Sequence, residues 1–153
     1  MIVYRLAAEP YVNLSGEGAR QYPGRWNEKG IPCLYTSESA SAATLEVLVN
    51  TGDWRVFTFK RYKLMHIHLP DSRIMHIRET ELPKDWNELS ISDSTRAFGA
   101  VQLKQVKYMG FSVPSVVAPL ERNVILNTAH PDFKKEVKLK YATPFRFDQR
   151  LLR

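Results

Sequence analysis

Between residues 13 and 30 the chain places Gly16, Gly18, Pro23, Gly24 and Gly30. Turns are expected to dominate a stretch so rich in these residues, and its backbone can approach a ligand closely because glycine carries no Cβ. Short β-prone segments flank it. Residues 2–6 mix β-branched and aromatic types, and residues 31–36, Ile-Pro-Cys-Leu-Tyr-Thr, read as a second short strand. With 153 residues, 44% of them hydrophobic, the chain can bury one ordinary core but not two. The expectation is one domain over residues 1–153 that begins strand, long loop, strand.

Helical and extended signals alternate in the remainder. Residues 37–49 open with serines suited to capping and continue with good helix formers up to Gly52. Residues 54–59 and 62–69 alternate apolar and polar types, which predicts two strands joined by a turn at Lys60-Arg61. After Pro70 and Pro83 a second helix is predicted over 92–109, ended by Gly110. Residues 113–118 form an apolar β-branched segment. A loop is expected through Asn123, Asn127 and His130-Pro131, then polar strands at 137–141 and 145–147. The fold class is mixed α/β (α+β), in one compact unit.

The formal net charge of +6 suits an anionic partner such as a dinucleotide, RNA, a phosphorylated protein or an acidic antagonist. The basic residues are dispersed in pairs such as Lys60-Arg61 and Lys134-Lys135, as on an ordinary solvated surface. The lone Cys33 excludes an intramolecular disulfide, and no Cys/His cluster offers a metal site. The first residues lack a signal-peptide core, and no run of about 20 apolar residues occurs, so a cytoplasmic protein without membrane contact is expected.

Several residues invite chemistry. Gly24-Arg25-Trp26-Asn27-Glu28-Lys29-Gly30 sets a cation, an aromatic and an amide between glycines. Arg25 there can grip a phosphate through paired donors, or stack on Trp26 beside a surface carboxylate. Glu46 sits in the apolar run of residues 42–49. It is either a paired, functional carboxylate or a solvent-facing helix residue, since burying a charge unpaired is costly. Ser115 follows Pro114 without a nucleophile elbow and by itself reads as a hydrogen bonder at a strand end. His130 before Pro131 reads more simply as a loop-structuring residue than as a base.

Together these blocks resemble the RES family, named for its arginine, glutamate and serine, whose members are toxins of bacterial toxin–antitoxin pairs. The resemblance rests on Tyr4-Arg5, Gly24-Arg25-Trp26-Asn27-x-x-Gly30, Leu34-Tyr35-Thr36-Ser37, Ala43-x-x-Glu46, Val113-Pro114-Ser115, and Asn123 with Asn127-x-x-His130-Pro131, in the family's order. It implies a fold similar to ADP-ribosyltransferase toxins, with a central cleft that binds NAD. It also implies cleavage of the nicotinamide–ribose bond, with NAD as substrate and no prosthetic group. On that reading Arg25, Tyr35, Glu46 and Ser115 are catalytic, and Arg25, Tyr35, Ser115 and Asn123 bind the dinucleotide. Arg25 would hold the pyrophosphate or nicotinamide end, Tyr35 would stack on the nicotinamide, Glu46 would stabilise the developing ribosyl cation, and Ser115 would bond the substrate.

The acceptor stays open between water, phosphate and a protein side chain, the last making an ADP-ribosyltransferase. The implied partner is a helix-turn-helix antitoxin of the Xre type bound over the site, with a homodimer a further expectation and no direct DNA binding. Two readings compete: a nucleic-acid-binding module, motivated by the charge and by Trp54 and Tyr62, and an accessory protein that binds a nucleotide without turnover.

Overall fold

The computed structural model describes residues 1–153. Strand β1 (Ile2–Ala8) is buried on both sides: Val3 and Ala7 enter one core cluster, and Leu6 enters another. The turn-rich stretch behind it is not irregular throughout. A single helical turn, α1 (Glu17–Gln21), begins at Gly16, whose φ of 70° and the crowding of Thr128 against any added Cβ require glycine. Strand β2 (Cys33–Ser37) and helix α2 (Ala40–Asn50) follow as the sequence predicts, with the Ser39 hydroxyl accepting from the Ala42 N–H at the helix start. Helix α2 packs across β1.

The pair of strands expected at 54–59 and 62–69 is half right. Strand β3 (Tyr62–His68) is present, but 54–59 form a turn and the short helix α3 (Val56–Phe59). The Asp53 carboxylate accepts from the Arg55 N–H and bends the chain, and Phe57 then turns inward onto Tyr62 and Phe147. Tyr62 is accordingly buried and not on the surface.

Strand β4 (Ile74–His76) was not expected. Helix α4 (Asp93–Leu103) stops well short of residue 109, because side chains take the carbonyls around its end. The Asn127 amide donates to the Leu103 carbonyl. His130, whose Nδ1 accepts from the Asp132 N–H, donates from Nε2 to the Val106 carbonyl. His130 is thus a loop-structuring residue.

Strand β5 (Gly110–Pro114) begins and ends earlier than residues 113–118, leaving Ser115 just beyond its end. The loop expected through Asn123 is instead strand β6 (Arg122–Asn127), whose Val124, Ile125 and Leu126 are all fully buried. A strand covered on both faces reads as a continuous apolar run and lacks the alternation that marks a half-buried one. After the short helix α5 (Phe133–Glu136), the two terminal strands prove to be one, β7 (Lys138–Phe145), with a register shift opposite His66 and Ile67.

The strands form one seven-stranded mixed sheet in the order β4-β5-β6-β2-β1-β3-β7, antiparallel except for β4 with β5. Its two halves are knit by long ladders, β5-β6-β2 on one side and β1-β3-β7 on the other. Between them β1 and β2 pair only at Tyr4↔Ser37. The sheet therefore splits beside that pair. Helix α2 lies over this seam on the face that carries Tyr35, Ser37 and Asn123.

Candidate active site

The 24–30 loop is built around Asn27, which is fully buried. Its Oδ1 accepts from the Gly24 N–H at 2.9 Å and from the Tyr35 hydroxyl at 2.8 Å, and its amide donates to the Ala19 carbonyl. The Tyr35 hydroxyl in turn accepts from the Trp26 N–H at 2.8 Å. A Cβ on Gly24 would lie 2.7 Å from the Tyr35 ring, so this close approach needs glycine. Trp26 anchors the loop in the core against Trp86, Phe98 and Phe111. Burial raises the Tyr35 phenol well above its ordinary value, which keeps it a neutral donor to Asn27.

Arg25 is thereby held half-buried between two fixed neighbours. Its Nη1 donates to the carbonyls of Trp86 at 2.8 Å and Glu88 at 2.9 Å, and its remaining donors make no bond within the chain. Burial lowers its pKa while the nearby charge of Glu46 opposes that shift, yet the two do not form an ion pair. A nearby but unpaired cation and carboxylate suit a ligand with both anionic and cationic character.

Glu46 projects from the middle of α2 and is half-buried, which settles its alternative readings in favour of a paired carboxylate. One oxygen, Oε1, accepts from the Ser115 hydroxyl at 2.8 Å and from the Asn123 amide at 2.5 Å. The other, Oε2, has only a 3.5 Å contact with Asn50. Ser115 is 1% exposed and is oriented by two backbone donors, the N–H groups of Val117 and Ala118. Its one proton goes to Glu46, so Ser115 is arranged to hold the carboxylate. Asn123 is fixed by Ser37, whose hydroxyl donates to its Oδ1 at 2.8 Å. Trp86, Asn87 and Ser115 border a cleft of about 220 Å³. A larger hollow of about 500 Å³ beside Leu14 and Phe133 lies on the other face of the sheet, away from Glu46.

The structure thus gathers Glu46, Ser115 and Asn123 into direct contact, leaves Arg25 near enough to feel the Glu46 charge, and places Tyr35 beneath the Arg25 loop. Sequence reasoning gave no role to Ser37 or Arg5. Arg5 spans the split, donating from Nη1 to the Tyr35 carbonyl at 3.1 Å, while its Nε is buried without a partner. Only the pairing of β1 with β2 reveals these two, although both stand inside blocks already singled out. No group of three His, Cys, Asp or Glu side chains is placed to hold a metal ion, and no helix is long and apolar enough to cross a membrane.

The RES domain family model matches residues 2–148. The chain is 38% identical to Toxin Res of Photorhabdus laumondii, covering 100% of this chain and 98% of that protein. It is 33% identical to Toxin Res of Yersinia enterocolitica over 99% of both chains. It is also 31% identical to the Prs ADP-ribosylating toxin of a Sphingobium strain, covering 92% of this chain and 88% of that one. The crystal structure of the M. tuberculosis MbcT–MbcA toxin–antitoxin complex contains a chain that superposes with a TM-score of 0.74 at 19% identity, covering 95% of this chain and 84% of that one. This protein belongs to the RES domain family.

Proposed function

We propose that the protein is the toxin of a toxin–antitoxin pair and acts in the cytoplasm by cleaving the nicotinamide–ribose bond of NAD. The observation that carries this reading is Glu46, a carboxylate fixed through one oxygen by Ser115 and Asn123, its other oxygen held only by a 3.5 Å contact with Asn50, with the unpaired Arg25 near enough to feel its charge. When the C1′–N bond breaks, its electron pair leaves with neutral nicotinamide and positive charge develops on the ribose. A preorganised carboxylate stabilises that charge without having to reorient. Arg25 supplies free guanidinium donors for the pyrophosphate, and the half-buried Tyr35 ring beneath the same loop would stack on the nicotinamide. Water or inorganic phosphate then takes the ribosyl carbon and releases a proton.

Transfer of the ADP-ribosyl group to a protein side chain is the second reading, favoured by the name of the Sphingobium relative. Both readings share the bond-breaking step and differ in the acceptor. An antitoxin seated over Arg25 would compete with the dinucleotide, in keeping with the toxin–antitoxin complex formed by the structural neighbour.

The test is to incubate the protein with NAD, with and without phosphate, beside Glu46→Gln, and to follow NAD and its products by mass spectrometry. NAD loss that requires Glu46 supports the reading, and a phosphate-dependent product identifies phosphorolysis. NAD that survives with the wild-type protein overturns degradation. A label appearing on an added protein from ADP-ribose-labelled NAD would favour transfer.

A further inference from the structure

The cleft beside Ser115 opens between two walls of different chemistry. Pro114, Val116 and Pro119 make one wall apolar, and Glu79, Trp86 and Asn87 form the other. Glu79 is the only charged side chain among those that line it. Its chain neighbours are already paired: the Glu81 carboxylate accepts from the Arg78 N–H at 2.9 Å and from the Arg78 Nε at 3.0 Å. The Glu79 carboxylate stands exposed at the start of the same short turn, Glu79–Glu81, with no hydrogen bond or ion pair of its own. At about 220 Å³ the cleft is smaller than the ~300–1,000 Å³ of most small-molecule pockets, so it takes one half of a dinucleotide and not the whole.

The proposed reaction decides which half. Glu46 takes the nicotinamide ribose, and Ser115, which bonds Glu46, borders the cleft. Arg25, assigned to the pyrophosphate, is tied to the carbonyls of Trp86 and Glu88, in the segment that forms the polar wall. A dinucleotide held at both points has its adenosine half left for the cleft. The proline-lined wall suits the flat base, and the wall opposite offers the ribose a carboxylate.

We propose that this cleft is the adenosine subsite and that Glu79 selects NAD over NADP by accepting the hydroxyls of the adenosine ribose. The inference rests on the proposed NAD reading and adds where the far half of the substrate lies and which dinucleotide is taken. A carboxylate only accepts hydrogen bonds, which suits neutral hydroxyls, whereas a 2′-phosphate in their place sets a charge of about −1.5 to −2 against it. Other dinucleotide sites make the same choice, with an acidic side chain on the ribose 2′-hydroxyl for NAD or an arginine beside the 2′-phosphate for NADP. Selection has to be local here, because a net charge of +6 draws the more anionic NADP at least as strongly as NAD.

The test measures NAD and NADP consumption, and equilibrium binding of ADP-ribose and of its 2′-phosphate, for the wild type, Glu79→Gln and Glu79→Arg. Glu9→Arg, in the turn that follows β1, makes the same change in net charge away from the cleft. The wild type prefers NAD by at least about tenfold in kcat/KM, through KM. The preference shrinks in Glu79→Gln and is lost or reversed in Glu79→Arg, at unchanged kcat for NAD, and the two binding constants follow the same order. Glu9→Arg keeps the wild-type preference. If the wild type consumes NAD and NADP alike, if Glu79→Arg keeps the preference, or if Glu9→Arg shifts it as far, the subsite is overturned and the NAD reading stands. If NAD survives while Glu79 governs ADP-ribose binding, cleavage fails and the subsite stands. A wild type that neither consumes NAD nor binds ADP-ribose overturns both.

Discussion

Glu46 draws its disposition from neighbours that contribute one hydrogen bond each. Ser115→Ala removes the donor at 2.8 Å and leaves Asn123 alone to hold the carboxylate. A catalytic group misplaced by about 1 Å costs on the order of a hundredfold in rate, so kcat for NAD loss is expected to fall by that order. A folded variant with wild-type kcat would remove Ser115 from the mechanism. Cys33 gives a prediction of another kind. Burial pushes its thiol up to about 12, against a usual value of about 8.5 in an unfolded chain. A raised folded-state pKa means the stability it confers is complete below about pH 8.5 and is lost as the pH rises toward 12, because only the unfolded chain ionises. Between pH 8 and 10 the loss is about 1–2 kcal/mol. Urea unfolding at both pH values reads it, and Cys33→Ala should abolish that part of the difference.

At the scale of elements, the site is legible where local signals agree with the fold. The Ser39 cap and the alanine-rich run announce α2, and with it the position of Glu46. The resemblance of Gly24-Arg25-Trp26-Asn27 to a ligand loop was legible too, but its internal structure was not: Asn27 and Tyr35 meet only because β2 runs beneath the loop. Strand β6 escaped notice because burial on both faces erases alternation, and α4 was overextended because its end is set by Asn127 and His130, distant in sequence. Helix α4 also meets the loop through Gly99, where a Cβ would lie 2.0 Å from the Trp26 carbonyl oxygen. Gly99→Ala would gain about 1 kcal/mol of helix propensity, yet an overlap with backbone cannot be relieved by a rotamer and costs about 1–3 kcal/mol. The overlap prevails. Thermal unfolding should show a lower Tm, and KM for NAD should rise as the Arg25 loop is displaced; an unchanged Tm would mean that helix and loop separate freely.

For the molecule as a whole, the single Tyr4↔Ser37 pair is the weakest seam in an otherwise continuous sheet. Every group assigned to catalysis stands on the β2 side or on α2, which packs on β1 while its Glu46 bonds Asn123 on β6. A ligand that engages Glu46 ties the two halves together through that helix, and a ligand that engages the 24–30 loop alone does not. Any ligand at a hundred times its Kd stabilises the native state by about 2.7 kcal/mol, so a rise in Tm alone does not distinguish the two cases. Amide hydrogen exchange does. With ADP-ribose bound, the N–H groups of β1 near Tyr4 and of β2 near Ser37 should slow together, because opening the seam would now require releasing the ligand. Nicotinamide, which lacks the ribose proposed to face Glu46, should protect the 24–30 loop and leave β1 unchanged. Equal protection of β1 by both ligands would show that the ribose contact with Glu46 is not what ties the two halves.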